Sequence, residues 1–296
     1  MSISIGKEFY GQDNLIYLGD KLVSDIYSGN ELVYTTKGME FTIDTTLVSN
    51  SSNHHNNKLN KFGLPICRDV DYNFTVYWGD GTSDSYSGDA SVIKNSAVHT
   101  YNESGIYVIK ISGKFPVFRT GGGVNNGYRN GYVTEEYSHC IISVESISGI
   151  GLISYWQMFY GCINLTHFKA EFEYINTEYM TDTFRSCKSL VEITHRLPDN
   201  ITKMQSTFMD CYSLKTIPNF PKNLKDTQRM FQYTSNLEEV PPFPESITDM
   251  GSMFYGSGIY RIPEIPSSVQ YVGHLCNSCI RLCEPIKFAP NSGLLN

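Results

Sequence analysis

The residues best able to hold a metal or act as nucleophiles in this chain are its eight cysteines and seven histidines. His274, Cys276, Cys279 and Cys283 form the tightest local cluster. A structural zinc site of this kind normally draws on two Cys-x-x-Cys pairs, or on one pair plus spaced histidines, and no second Cys-x-x-Cys is present. Asp69, Asp71, Asp80 and Asp84 lie near one another, but without the ligand spacing of an EF-hand loop. His54-His55 sits in an Asn/Ser-rich stretch and reads as solvated loop, while His99, in His99-Thr100-Tyr101, reads as a packing or strand-end hydrogen-bonding residue. Asn73, Asn102, Asn164 and Asn200 open Asn-x-Ser/Thr triplets, which matter only in a glycosylating compartment. No nucleophile elbow, phosphate loop, dinucleotide fingerprint or zinc-protease motif occurs, and no pair of carboxylates stands out for glycoside hydrolysis. The expectation is a protein without catalysis, cofactor or metal.

Composition narrows the function classes further. The chain has 296 residues, 41% of them hydrophobic and 18% charged, with a net charge of -7. That is enough chain for a core or two, and the acidic balance argues against nucleic acid or an anionic membrane as partner. No apolar run approaches the roughly 20 residues that span a bilayer. The N-terminus has neither a basic region nor an apolar stretch, so a cleaved signal and membrane insertion are not expected. The cysteines then read as thiols of a reducing site of synthesis.

Positioning elements emerge from an internal repeat. With zero at Phe159, Phe184, Phe208, Phe231, Phe254 and Cys276, six units follow at steps of about 22 to 25 residues. At +3 stand Cys162, Cys187, Cys211, Thr234, Ser257 and Cys279, so the thiols share their slot with Thr and Ser and read as small core residues. At +6 stand Leu165, Leu190, Leu214, Leu237, a slipped Ile259/Tyr260, and Leu282. Ile201, Leu224, Ile247 and Val269 at -7, with Met180, Met204, Met250 and Val272 at -4, complete offsets that fit one face of a short amphipathic helix. Segments such as Ser189 to Ile193, Ser213 to Pro218 and Asn236 to Pro241 then read as one short strand per unit with a Pro-bounded return. No unit can bury its apolar face alone, so the units must stack into a parallel ladder of about six rungs.

Met158 to Phe168 and the runs around Phe184, Phe208 and Phe254 resemble the BspA-like form of the leucine-rich repeat, over roughly residues 141 to 296. The resemblance implies surface recognition without catalysis. The last unit departs from it with Cys276 in the Phe slot, and the chain after Pro285 reads as a cap.

Upstream, Val76 and Trp78 lead into Gly79-Asp80-Gly81-Thr82, a strand entering a tight turn, and Gly105 to Ile111 alternates into a further strand. These two segments resemble a PKD-type immunoglobulin-like β-sandwich, with a long polar loop around Asn53 to Asn60. Nearer the N-terminus, Ile16-Tyr17-Leu18-Gly19-Asp20 and Ile26-Tyr27-Ser28-Gly29-Asn30-Glu31-Leu32-Val33 read as hairpins. They lack a core of their own and are similar to the N-terminal stretch of phage fibre and structural proteins.

The expected fold is therefore multidomain. A β-hairpin anchor over 1–37 precedes a PKD/Ig-like β-sandwich over 38–118, a Gly/Asn-rich linker over 119–140 and an α/β leucine-rich-type solenoid over 141–296. The expected function is a phage virion protein anchored through Ile16, Tyr17, Leu18, Ile26, Tyr27, Leu32 and Val33 to other virion proteins, forming homo-oligomers. The alternative is a bacterial cell-surface adhesin. A host glycan or protein would meet the open ladder face, at Thr166, His167, Val191, Glu192, Lys215, Thr216, Glu238, Glu239 and Arg261. The 21 tyrosines, with Ser, Asn and Gly, form a composition that binding surfaces favour.

Overall fold

The computed structural model describes residues 38–47, 60–93, 97–121 and 135–290, together with the backbone of four short strands between 17 and 35. Strand β1 (Tyr17–Leu18) pairs antiparallel with β2 (Lys21–Leu22), and β3 (Asp25–Ser28) with β4 (Glu31–Thr35). These are the two hairpins that the Gly-Asp and Gly-Asn punctuation predicts; Ile16 lies outside the described residues.

The following strands are β5 (Met39–Asp44), β6 (Lys61–Gly63), β7 (Tyr72–Tyr77), β8 (Ser83–Gly88), β9 (Val98–Thr100) and β10 (Ile106–Lys114). Alternation sends Met39, Phe41 and Ile43 of β5 inward, along with Tyr72, Phe74 and Val76 of β7 and Ile109 and Ile111 of β10. The β6–β9 pair lies over this layer, with Phe62 meeting Phe41 at 5.8 Å between ring centres.

Strand β11 (Ile141–Ile147) joins this layer to the repeats. One edge pairs antiparallel with β5, the other pairs parallel with β12 (His167–Phe168), and β12 pairs with β13 (Glu192–Ile193). A single sheet thus runs in the order β13-β12-β11-β5-β10-β7-β8. Register shifts after Ile141 and Val144 place Ile141, Val144 and Ile147 inward, every third residue instead of every second.

The segment before residue 122 is fastened to the first rung. Phe118 is buried and lies 5.6 Å from both Phe41 and Phe159. The Thr120 hydroxyl donates to the Tyr160 and Met158 carbonyls at 2.8 and 3.4 Å, and the Gly121 N–H to the Gln157 carbonyl at 3.4 Å. Of the stretch expected as linker, 119–121 is packed in this way, and 122–134 lies outside the described residues.

The rungs correct one expectation. The helix predicted to open each unit is absent, and turns stand in its place; the described residues contain only two α-helical turns, Ala90–Ile93 and Glu135–Ser138. The cause is visible in the backbone. Residues at -2 (Gln157, Asp182, Ser206, Arg229, Ser252, His274) and at +2 (Gly161, Ser186, Asp210, Tyr233, Gly256, Ser278) all have φ between 52° and 73°, a left-handed conformation that a right-handed helix cannot accommodate. The intervening turns need φ > 0 at their third residue, as type II turns do.

Their N–H groups divide into two sets. One set donates three residues back within the rung, as Thr207 does to Met204, Met209 to Ser206, and Cys211 to Phe208 (3.2–3.3 Å). The other donates to the following rung, as Met204 does to Asp226, Ser206 to Gln228, Phe208 to Met230, and Asp210 to Gln232 (all 2.9 Å). A helix would use all of these donors internally. The -7, -4, 0 and +3 residues are nonetheless buried together in the central rungs, so the periodicity located the core correctly but implied the wrong backbone.

Inside, Phe159, Phe184, Phe208, Phe231 and Phe254 are fully buried, and successive rings stack at 5.6–5.7 Å with interplanar angles of 3–12°. In the sixth rung the N–H groups of Val272, His274, Cys276 and Ser278, which occupy the rung-to-rung donor positions, have no backbone acceptor among the described residues. The segment after the sixth rung packs laterally, with Ile286 and Phe288 against the core and Phe288 bridged to Ile265.

Phe208→Ala should lower stability by about 3–5 kcal/mol through the cavity it opens between two stacked rings, measured by denaturant unfolding. In the same assay Ser186→Gly should leave stability unchanged or raised. Ser186→Val, which forces a β-branched residue into the left-handed region, should cost about 1–2 kcal/mol or more.

Candidate recognition surface

Successive rungs are tied along the ladder by backbone bonds. Val191 N–H donates to Thr166 O at 3.0 Å, Lys215 to Val191 at 3.4 Å, Glu238 to Lys215 at 2.9 Å, Tyr260 to Glu238 at 3.2 Å and Cys283 to Tyr260 at 3.1 Å. The slipped fifth unit is thereby resolved: Ile259 fills the buried +6 slot, and Tyr260 takes the next, outward place.

The candidate ligand residues fall on one surface. His167, Val191, Glu192, Lys215, Thr216, Glu238, Glu239 and Arg261 are exposed, and Thr166 is half-buried, its hydroxyl donating to Ile142 O at 3.0 Å. His167 and Glu192 are register neighbours, and the Lys215 ammonium stands 3.9 Å from Glu238. This is a flat face of mixed charge. A shallow depression of about 490 Å³ on the flank, lined by Leu152, Ile153, Glu173 and Tyr174, offers Glu173 as its one carboxylate.

The +3 slot proves to select for more than size. Cys187 Sγ donates to Phe159 O at 3.0 Å, Cys211 to Phe184 O at 3.0 Å, Thr234 Oγ1 to Phe208 O at 2.9 Å and Cys279 to Phe254 O at 2.7 Å. These four are small donors reaching the carbonyl of the preceding rung, which is why Cys and Thr interchange there, while the Ser257 hydroxyl lies 3.6 Å from Cys279 Sγ. Burial pushes the Cys162 thiol up to about 12 and raises those of Cys187 and Cys211, so all three remain protonated. His274, Cys276, Cys279 and Cys283 do not assemble: among the described residues no three His, Cys, Asp or Glu side chains form a metal-holding group.

In the N-terminal layers the Trp78-to-Thr82 turn and the His99 segment meet. His99 stacks on Trp78 at 4.9 Å and its Nε2 lies 2.7 Å from Asp80 Oδ2, while the Trp78 indole donates to Asp84 at 2.7 Å. Desolvation raises the Asp80 carboxyl, but hydrogen bonds from Thr82 and His99 outweigh it and bring the pKa down to about 2. His99 thus has the strand-end hydrogen-bonding role expected of it. The polar loop containing His54-His55 lies outside the described residues.

Residues 154–284 match the family model described as BspA type leucine rich repeat region, in six copies. The solenoid is built of BspA-type leucine-rich repeats. Among solved structures, a leucine-rich repeat protein from Bacteroides ovatus ATCC 8483 is similar at 20% identity, with a TM-score of 0.30, covering 61% of this chain and 48% of that one. The chain therefore spans about half the length of that protein. No curated protein matches the chain. Among the described residues no helix is long and apolar enough to cross a membrane. BspA-type repeats are typical of surface proteins.

Cys211→Ser should be tolerated better than Cys211→Val, by about 1 kcal/mol in thermal unfolding, because only serine keeps the donor. Since Asp80 titrates below its unfolded value of roughly 3.9, its contribution is complete above that pH and is lost as pH falls toward about 2. The stability gap between the native protein and Asp80→Asn should accordingly be constant near neutrality and close between about pH 4 and pH 2, as followed by acid unfolding.

Proposed function

We propose that this protein is a non-enzymatic surface adhesin whose solenoid recognises a host or partner molecule. The observation that carries the reading is the six-unit BspA-type solenoid, with a filled core and an exposed ladder face of polar side chains. The central rungs should dominate binding on that face, because interface energy concentrates away from the rim. Purified protein with both Lys215→Glu and Thr216→Glu should bind host cells at least tenfold more weakly than the native chain while melting at the same temperature. Undiminished binding by the folded variant would remove the ladder face from consideration.

A second reading, a virion attachment protein with partner proteins at its N-terminus, is favoured by the hairpins β1–β2 and β3–β4. Each forms a separate two-stranded sheet, and a lone hairpin is marginal in water. Under this reading, removal of residues 1–37 should abolish incorporation into particles and leave the remaining chain folded. Particles that retain the truncated protein would rule it out.

A further inference from the structure

Most of the exposed tyrosines of the solenoid do not stand on the ladder face. Tyr212, Tyr233 and Tyr255 occupy the turn side of three consecutive rungs, at +4, +2 and +1. Tyr212 and Tyr233 are each 41% exposed, and the Tyr233 and Tyr255 rings meet edge to face at 5.6 Å. Beneath them Gly256 has no side chain, and a Cβ there would come within 2.8 Å of the Tyr233 ring, so the ring rests against the backbone of the next rung.

The segments around Tyr233 and Tyr255 carry no charge of their own, and the nearest charges lie at the margin, with the Lys188 ammonium 5.9 Å over the Tyr212 ring. Residues 232–236 and 255–259 contain no Asp, Glu, Lys, Arg or His, in a chain of net charge -7; Asp210, Arg229 and Arg281 flank the patch. Gln232 Oε1, within it, is a buried acceptor with no donor among the described residues.

The rigid aromatic surfaces, amides and hydroxyls around Tyr233 and Tyr255 suit a ligand that presents apolar C–H faces and many neutral hydroxyls. The patch spans about three rungs at roughly 4.8 Å each. That is well short of the ~800 Å² per partner of a standard protein interface, and comparable with two or three sugar rings. We infer that the turn side of the third to fifth rungs, centred on Tyr233 and Tyr255, binds a neutral oligosaccharide. This rests on the recognition reading, but not on the ladder face.

The test is binding of the full chain to an array of neutral oligosaccharides built from glucose, mannose, galactose and xylose, at 0.15 and about 1 M salt. At the higher salt the Debye length is only about 3 Å and charge-driven binding is suppressed. Binding should persist at high salt. Tyr233→Gly removes the ring at a position that is already Gly in the first and fifth units, so the fold is kept, and it should weaken binding at least tenfold without lowering the melting temperature. Tyr255→Phe should retain binding and Tyr255→Ala should lose it. Failure to bind any neutral sugar, or undiminished binding by Tyr233→Gly, overturns the inference. If the native chain still binds cells while the array stays blank, the recognition reading stands and the sugar site alone falls; cell binding lost on Tyr233→Gly with a blank array would point to a protein ligand instead and equally overturn it.

Discussion

The rest of the structure depends on how backbone N–H groups are divided on the turn side of each rung. A buried or stacked N–H without an acceptor is costly, and a stack of rungs needs donors left over to reach the next one. Alternating donors between the turn's own carbonyl and the following rung meets both demands, but only if residues at -2 and +2 adopt a left-handed backbone. The carbonyls of Phe159, Phe184, Phe208 and Phe254 then face a small side-chain donor in the next unit, which accounts for Cys and Thr at one slot. Core composition, turn geometry and the interchange of thiol and hydroxyl follow from the same hydrogen-bond accounting.

The aromatic spine extends that order into the N-terminal layers. Phe62, Phe41, Phe118 and Phe159 lead ring by ring from the small β6–β9 sheet into the stack that continues to Phe254. Strand β5 pairs with β10 on one side and with β11, which leads into the repeats, on the other. The buried residues consequently form one contiguous core, and the first rung receives its hydrogen bonds from Thr120 and Gly121 instead of from water.

Much of the solenoid was legible in the sequence because the phase of Phe, Leu and small residues specifies which positions face inward whatever the local backbone. The turn backbone was not, since offsets of -7, -4, 0 and +3 are met equally by a helix and by a run of turns with left-handed residues. The discriminating signal was present in Gly161 and Gly256 at +2, but in the other units Ser, Asp and Tyr tolerate the same φ and mask it. The outward positions along the ladder were legible, apart from half-buried Thr166 and the one-residue slip at Tyr260. The β5–β11 pairing was not, because it joins segments about a hundred residues apart through register shifts that no local pattern announces. Tyrosine abundance was visible as composition; its concentration on the turn side appears only once the rungs are stacked.

The donor alignment gives the solenoid a polarity like that of a bar magnet. Its far end presents the N–H groups of Val272, His274, Cys276 and Ser278 in a row, with no backbone acceptor among the described residues. Its near end presents carbonyls already occupied by Thr120 and Gly121. Two far ends brought together would oppose donor to donor, and a far end approaching a near end would find its acceptors taken. A rung added at the far end would therefore have to bring carbonyl acceptors, and one added at the near end would have to displace Thr120 and Gly121, a directionality set by the orientation of the bonds.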